Sequence, residues 1–295
     1  MRHQVKTITL RDGVRMAYQV WQPEGAVRGT LILVHGVGEH GGRYGHVAEY
    51  FIEQGYACYA LDHRGHGRNA TAAPGLAMGY FPSLAEVVDD LHEFVGEVNK
   101  ARPANRPVFM IGHSMGGLVT LYYLIRHHPP PSLIRGVVTS GAALDVGDGT
   151  PILQKSLLLN IISPLFPKFG VQAIPPEYVS RDVATVEGYK TDPLVFHGKV
   201  FARVAAELFR GCAYVKENLA KITLPMLILH GGEDKVVSPK CASILHAGIS
   251  SPNKQMKLYE GLYHEIFNEP ERNRVMGDVW VWLAAHGATG ELKKG

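Results

Sequence analysis

The feature that most constrains the fold is a serine in a tight glycine turn between an apolar run and a helix-like run. Residues 108–111 are continuously apolar, as in a buried strand, and residues 118–126 have the character of a helix. Gly112, Ser114 and Gly116 lie between them in the pattern GxSxG. Strand and helix come so close at such a turn that side chains two positions either side of the serine would collide. The sequence therefore predicts a strand, a strained turn and a helix, with Ser114 as a candidate nucleophile.

Apolar runs alternate with helical segments over much of the remaining chain. Runs typical of strands occupy residues 5–10, 14–20, 30–34, 56–61, 136–139, 225–229 and 255–259. Helical patterns fill most of the gaps, including one that begins at Ser83 with Glu86 three residues later, a predicted capping box. The alternation predicts an α/β fold: a mostly parallel eight-stranded sheet with helices on both faces.

The alternation stops between residues 143 and 209, which contain several prolines and no buried-strand run. A helical segment inserted into a finished sheet is typical of a cap. We therefore expect a core of residues 1–142 and 210–295, and a helical cap of residues 143–209. The cap is rich in apolar side chains, and Leu157, Ile161 and Leu165 are candidates for binding a fatty chain.

An acid and a base follow the last two predicted strands. Asp234 comes after the strand at 225–229, with Glu233 as its immediate rival, and His264 comes after the strand at 255–259. Open parallel sheets place their sites at these strand ends, and the order Ser, Asp, His is that expected of an α/β-hydrolase. In this arrangement His264 is the general base and Asp234 orients it.

The loop after the strand at 30–34 is the predicted source of the second oxyanion donor. Its glycines let the backbone turn inward, so we assign the N–H of Val37 together with that of Met115. The same loop, residues 36–41, also matches the dinucleotide-binding pattern GxGxxG, with Asp62 near the position of a ribose-binding acid. Two preceding strands and the charge of Glu39 disfavour that alternative, and Asp62 is interpreted as part of a supporting turn.

Composition narrows the class of function. The chain has 295 residues, a net charge of +3 and three scattered cysteines, without a clustered basic face for nucleic acid. His264-Glu265 lacks the second histidine of a zinc HExxH motif, so neither a metal nor another cofactor is predicted. Residues 1–6 lack the apolar core of a signal peptide, and we expect a soluble, cytoplasmic protein.

Taken together, these motifs resemble the monoacylglycerol lipase and lysophospholipase group of α/β-hydrolases. The resemblance rests on the motifs at residues 35–44, 62–67, 112–117, 191–194, 230–234 and 259–264. It implies hydrolysis of monoacylglycerols or related lipid esters through an acyl-enzyme, with a mobile cap that docks transiently on lipid surfaces. It also implies a polar alcohol pocket, for which Glu39 and Arg43 match the motif. Some relatives have a further histidine where this chain has Phe267, so details of that pocket do not carry over.

The sequence leaves several alternatives open. Lysophospholipase and general carboxylesterase activity are compatible with the same motifs, because the cap sets the acyl and alcohol pockets. A non-catalytic ligand-binding protein of the same fold is a remote alternative. Neither the oligomeric state nor the preferred acyl-chain length can be deduced.

Overall fold

The computed structural model describes residues 2–145 and 156–287, which contain ten strands and eight α-helices. The strands are β1 Arg2–Thr9, β2 Arg15–Gln22, β3 Gly29–Val34, β4 Tyr56–Leu61, β5 Val108–His113, β6 Gly136–Ser140, β7 Gly170–Gln172, β8 Val200–Phe201, β9 Met226–Gly231 and β10 Lys254–Tyr259. The helices are α1 Gly45–Glu53, α2 Leu84–Ala101, α3 Met115–His127, α4 Ser156–Leu165, α5 Val183–Thr191, α6 Ala202–Asn218, α7 Lys240–Gly248 and α8 Arg272–Gly287.

The main sheet has eight strands in the order β1-β2-β4-β3-β5-β6-β9-β10. The six strands from β4 to β10 in this order are parallel to their neighbours, whereas β2 pairs antiparallel with both β1 and β4. Every residue of β3, β4, β5, β6 and β9 is buried, as expected for strands covered on both faces. The predicted eight-stranded, mostly parallel sheet is confirmed.

Two apolar cores lie on opposite faces of the sheet because alternate strand residues point to opposite sides. Leu31 and Leu33 of β3 pack in one core with side chains of α1 and α8. Ile32 and Val34 pack in the other core with side chains of α2, α3, α6 and α7. Helices therefore cover both faces, and the carboxyl ends of the parallel strands stay available for a site.

The segment between β6 and β9 forms α4, β7, α5, β8 and α6, with β7 and β8 paired in a separate two-stranded ribbon. Helix α6 packs against α4 through Leu159 and Ala205, and it also contacts α2 and α3. The predicted core–cap boundary at 209/210 falls in the middle of this continuous helix. The division itself stays a prediction, but no break in secondary structure occurs at that boundary.

The N-terminus of α2 differs from the prediction. Ser83 makes no side-chain capping bond, so the expected capping box with Glu86 is wrong. Instead, Glu207 of α6 accepts the N–H of Leu84 at 3.0 Å. The cap comes from a tertiary neighbour, because α6 packs across the start of α2 and brings a carboxylate to its positive end.

Candidate active site

Ser114 lies at the turn between β5 and α3 in a strained backbone conformation. Its φ of 54° and ψ of −120° fall in a region that residues with side chains seldom occupy. A Cβ added to Gly112 would lie 2.6 Å from Thr120 Oγ1 and 2.7 Å from the carbonyl oxygen of Gly116. One added to Gly116 would overlap the carbonyl oxygen of Val34 at the end of β3. Both glycines are sterically required, the second one by the neighbouring strand.

Asp234 and His264 meet at the ends of β9 and β10. His264 Nδ1 lies 2.7 Å from Asp234 Oδ2, and His230 Nε2 lies 3.0 Å from the same oxygen. Asp234 Oδ1 accepts the backbone N–H groups of Val236 and Val237 at 2.8 and 2.9 Å. Three hydrogen-bond donors therefore converge on one fully buried carboxylate, and His230 Nε2, which also lies 3.0 Å from the carbonyl oxygen of Val237, is beside them. Of the two rival acids, the histidine pairs with Asp234, whereas the neighbouring glutamate is exposed.

The electrostatics of this pair favour an ionised carboxylate and a basic imidazole. Burial alone would raise the pKa of Asp234, but the charge and hydrogen bond of His264 and the hydrogen bond from His230 hold that pKa well below its usual range. Burial alone would lower the pKa of His264, yet the carboxylate raises this pKa above its ordinary value of 6.5. By contrast, burial lowers the pKa of His113 to about 4, so this ring, whose centroid is 4.7 Å from that of His264, is neutral at pH 7.

Val37 and Met115 occupy the two positions predicted for oxyanion donors. Met115 is the first residue of α3, where backbone N–H groups have no intrahelical partner. In residues 2–145 and 156–287, neither N–H donates a hydrogen bond to another protein group. Val37 lines the same pocket as Ser114, and a Cβ added to Gly36 would lie 3.2 Å from Ser114 Cβ. The loop after β3 therefore reaches the serine closely enough to supply a donor.

A buried ionic cluster holds this loop. Arg43 Nη1 donates to Glu39 at 2.7 Å, and its two terminal nitrogens donate to both oxygens of Glu265 at 2.7 and 2.8 Å. Glu39 also accepts the N–H of Gly36 at 2.6 Å and the hydroxyl of Tyr44 at 2.9 Å. Glu39 lines the pocket beside the serine, whereas Arg43 does not line that pocket. Both predicted alcohol-binding residues are thus engaged with protein partners, and their role toward substrate stays a prediction.

Hydrogen bonds join the turn after β4 to the same loop. Asp62 Oδ1 accepts the N–H of Gly41 at 2.8 Å, and Oδ2 accepts a second backbone N–H at 2.9 Å. His35 Nδ1 lies 2.8 Å from the carbonyl oxygen of Gly36, and its Nε2 accepts the N–H of His63 at 2.8 Å. Because backbone donors occupy the Asp62 carboxylate, these contacts fit a supporting turn and not a ribose-binding acid.

Ser114 lines one cavity, and a second cavity lies next to that one. The smaller, termed the polar cavity for its ionisable side chains, has His264, His113, Glu39 and Glu265 in its wall together with Ser114. The larger, about 140 Å³, is mostly apolar and is formed by residues such as Pro175, Pro176, Phe196 and Val200. The cavities share Val37, Ile174 and Tyr189 as a common wall. A substrate with one polar end and one apolar end would match this pair.

Of the three predicted chain-binding residues of the cap, Leu165 is the one whose side chain the structure describes. The backbone of α4 includes Leu157 and Ile161, but their side chains lie outside the described residues. Leu165 is described and is 67% exposed at the end of α4, where it lines neither cavity. The helix turns this side chain toward solvent together with the exposed Phe166 and Phe169. Its predicted role inside an acyl tunnel is therefore not supported by its position.

Sequence reasoning missed two glutamates next to the predicted base. Glu265 follows His264 directly, but the pattern singled it out only as part of an absent zinc motif. Glu269 is fully buried; it accepts the N–H of Tyr263 at 2.9 Å and pairs with Arg181 at 2.9 Å. It thereby joins the loop carrying His264 to the segment between β7 and α5. The available signal was three glutamates, at positions 265, 269 and 271, within seven residues after the histidine.

Comparison with known proteins places the chain among hydrolases. The family model described as "Serine aminopeptidase, S33" matches residues 25–271. A monoacylglycerol lipase of Mycolicibacterium smegmatis is 38% identical, covering 93% of this chain and 94% of that protein. Human monoglyceride lipase is 29% identical, covering 94% of this chain and 89% of that protein.

Solved structures confirm the predicted α/β-hydrolase fold. A soluble variant of the Saccharomyces cerevisiae monoglyceride lipase, solved with a substrate analogue, superposes with a TM-score of 0.85 at 25% identity. The alignment covers 97% of this chain and 96% of that one.

Proposed function

The chain belongs to the serine aminopeptidase S33 family of hydrolases, and we propose that it cleaves the ester bond of monoacylglycerols with Ser114 as nucleophile. The observation that carries the proposal is the 2.7 Å contact between His264 Nδ1 and Asp234 Oδ2, because it fixes the histidine in the pocket that also contains Ser114. With Nδ1 bound to the carboxylate, Nε2 is left to accept a proton.

In the proposed mechanism, Ser114 Oγ attacks the ester carbonyl while His264 removes its proton. The N–H groups of Val37 and Met115 stabilise the oxyanion of the tetrahedral intermediate. His264 then protonates the leaving alcohol, and a water molecule activated by the same ring hydrolyses the acyl-enzyme. Asp234 holds the tautomer of His264 and stabilises the imidazolium in both steps.

The shape of the site supports a single-chain lipid ester as substrate. Each methylene buried in the apolar cavity would contribute about 0.8 kcal/mol to binding, whereas the polar cavity offers hydrogen-bonding groups to the alcohol. Residues 143–209 would act as the cap, since Ile174, Val179 and Tyr189 line the cavity beside Ser114. In this role, the segment would cover a substrate bound at Ser114.

The cap would also bring the enzyme to lipid surfaces. Leu165, Phe166 and Phe169 are 67%, 64% and 58% exposed, and together they form an apolar patch at one end of α4. Such a patch is unfavourable in water and favours contact with a lipid surface. Among the residues that the structure describes, no helix has the length and apolarity needed to cross a membrane, so the contact would be peripheral.

Labelling with a fluorophosphonate tests the nucleophile. The wild-type chain is expected to react with one equivalent of probe, and Ser114→Ala is expected to abolish both labelling and hydrolysis of 1-monoacylglycerols, because Ser114 is the serine that lines the same pocket as His264. Ser250→Ala, which changes an exposed serine, is the matched control and should label fully. Intact mass spectrometry measures the stoichiometry. Absence of labelling in the wild-type chain would contradict a serine hydrolase.

The pH dependence of kcat/KM should report His264. Only the neutral imidazole can accept the serine proton, and the pKa of His264 is raised above 6.5. Activity should therefore fall as the pH drops through this raised pKa, with a midpoint above the ordinary histidine value. A rate profile between about pH 5 and pH 9 with a water-soluble ester measures the midpoint. A midpoint below the ordinary histidine value would show that burial lowers the pKa of His264 by more than Asp234 raises it.

A further inference from the structure

We propose that the polar cavity beside Ser114 selects the leaving alcohol by charge, and that it excludes esters whose alcohol carries a phosphate or another anionic group. The inference rests on the proposed ester hydrolysis and adds to it the class of alcohol accepted: neutral or cationic. It follows from the carboxylates of the cavity wall, and above all from Glu265, whose position next to His264 no motif explained.

The cavity wall carries an excess of negative charge. Glu39 and Glu265 share a single cation, Arg43, and the side chains of all three are at most 9% exposed. Burial alone would raise the pKa of Glu265, but the charge and hydrogen bonds of Arg43 lower this pKa to about 2. Two carboxylates and one guanidinium leave a formal charge of −1 beside the reacting atoms. In a buried site this charge is poorly screened by salt.

The one cation of this cluster cannot serve an incoming anion. Arg43 Nη1 donates to both Glu39 and Glu265, Nη2 donates to Glu265, and the ring of Tyr189 lies 4.9 Å from the guanidinium carbon. In the described parts of the chain, neither cavity is lined by a lysine or an arginine. A phosphate entering the polar cavity would meet carboxylates without a compensating positive charge.

Of the two cavities, the smaller is the one lined by carboxylates, and this assigns the alcohol to it. The acyl chain gains most in the apolar cavity walled by Pro175 and Phe196, which leaves the alcohol on the side of Glu39 and Glu265. In a glycerol phosphate ester, the phosphate lies only a few bonds from the scissile oxygen. A unit charge at roughly 6–8 Å, with an effective dielectric constant of about 20, corresponds to about a 30- to 100-fold loss in kcat/KM.

Long-range electrostatics act in the opposite direction. The whole chain has a formal net charge of +3, which would attract an anionic substrate during encounter. Discrimination against the anion would therefore have to arise locally, in the cavity. The net charge of the whole chain and the carboxylates of the cavity thus predict opposite effects on an anionic substrate.

Three octanoyl esters with different alcohols test the proposal: 1-octanoylglycerol, its 3-phosphate and octanoylcholine. All are used below their critical micelle concentrations, so that presentation of the substrate is the same. We expect kcat/KM for the phosphate ester to be at least about tenfold below that for the glycerol ester. The choline ester should be cleaved at least as well as the glycerol ester. Equal kcat/KM for the phosphate and glycerol esters would overturn the proposal.

The ratio of kcat/KM for the phosphate ester to that for the glycerol ester is then compared among variants. Damage to the site that affects both esters equally cancels in this ratio. Glu265→Gln should raise the ratio at least fivefold, and Glu39→Gln gives a second reading if the first variant does not fold. Glu260→Gln removes an exposed carboxylate from the preceding turn and should leave the ratio unchanged.

An unchanged ratio in the folded Glu265→Gln and Glu39→Gln variants would overturn the assignment to these carboxylates. A different result would contradict the proposed function: no fluorophosphonate labelling and no cleavage of any of the three esters. Labelling at Ser114 with equal cleavage of the charged and neutral esters contradicts the charge selection alone. The two failures are thus distinguishable.

Discussion

Replacing Asp234 with asparagine is expected to lower kcat by about 10⁴-fold while the fold stays intact. The carboxylate now accepts His264 Nδ1–H at 2.7 Å and is also held by His230 and two backbone N–H groups. An asparagine can keep Oδ1 in place, but its NH2 group would replace Oδ2, the oxygen that lies near the two imidazoles. His264 would then lose the tautomer in which Nε2 accepts the serine proton. Steady-state hydrolysis of 1-monoacylglycerol measures the loss.

Two further readings make this prediction specific. Glu233→Gln is the matched control, because its side chain is exposed and the histidine does not pair with it, so kcat should change little. In Asp234→Asn, the residual activity should fall off at a lower pH than in the wild-type chain, since the charge that raises the pKa of His264 is gone. If Glu233→Gln removed the activity instead, the assignment of the acid would be wrong.

The parts of the site that sequence predicts well are those set by short-range geometry. Ser114 is fixed by its own strand, glycines and helix, and Asp234 and His264 each follow a strand whose apolar run is visible. The carboxyl ends of parallel strands lie at one edge of the sheet. A residue that directly follows such a strand in the sequence can therefore be placed at that edge. The placement of these three residues therefore needed no knowledge of side-chain packing.

What the sequence could not indicate are contacts between residues far apart in the chain. Arg43 and Glu265 are 222 residues apart, and neither carries a local pattern that predicts a bidentate pair. Glu207 caps α2 from a distance of 123 residues, and this displaced the local capping box expected at Ser83. Leu165 was expected inside the site because it is apolar, but its direction depends on how α4 packs. Local propensity decides the element, whereas tertiary packing decides the partner.

This difference bears on how the site can vary in related chains. The nucleophile, acid and base are held by the sheet, while the walls of the polar cavity are built from long-range ion pairs. Exchange of one side chain of the Glu39–Arg43–Glu265 cluster would alter the charge presented to the alcohol without moving the strands. We therefore expect related chains that keep Ser114, Asp234 and His264 to share the chemistry and to differ in the alcohol that they prefer.

The second large effect is expected from Gly116→Ala, which should destabilise the protein by about 4 kcal/mol or more, or prevent folding. The added methyl group would overlap the carbonyl oxygens of Val34 and His35, which belong to the backbone at the end of β3. Neither can rotate away as a side chain could, so relief requires moving α3 or the strand. Such a shift would also displace the loop that carries Val37. Urea unfolding followed by circular dichroism measures the change in the free energy of unfolding.

Gly96→Ala is the matched control because it makes the same chemical change in an open position. Gly96 lies inside α2, and a Cβ there would meet no atom within 4 Å outside its own helix. Alanine restricts the unfolded chain and favours the helix, so this variant should be more stable by about 0.5–1 kcal/mol. The two substitutions should therefore shift the urea midpoint in opposite directions. If Gly116→Ala had the same urea midpoint as the wild-type chain, the close approach of β3 to α3 would not be the reason that the turn requires glycine.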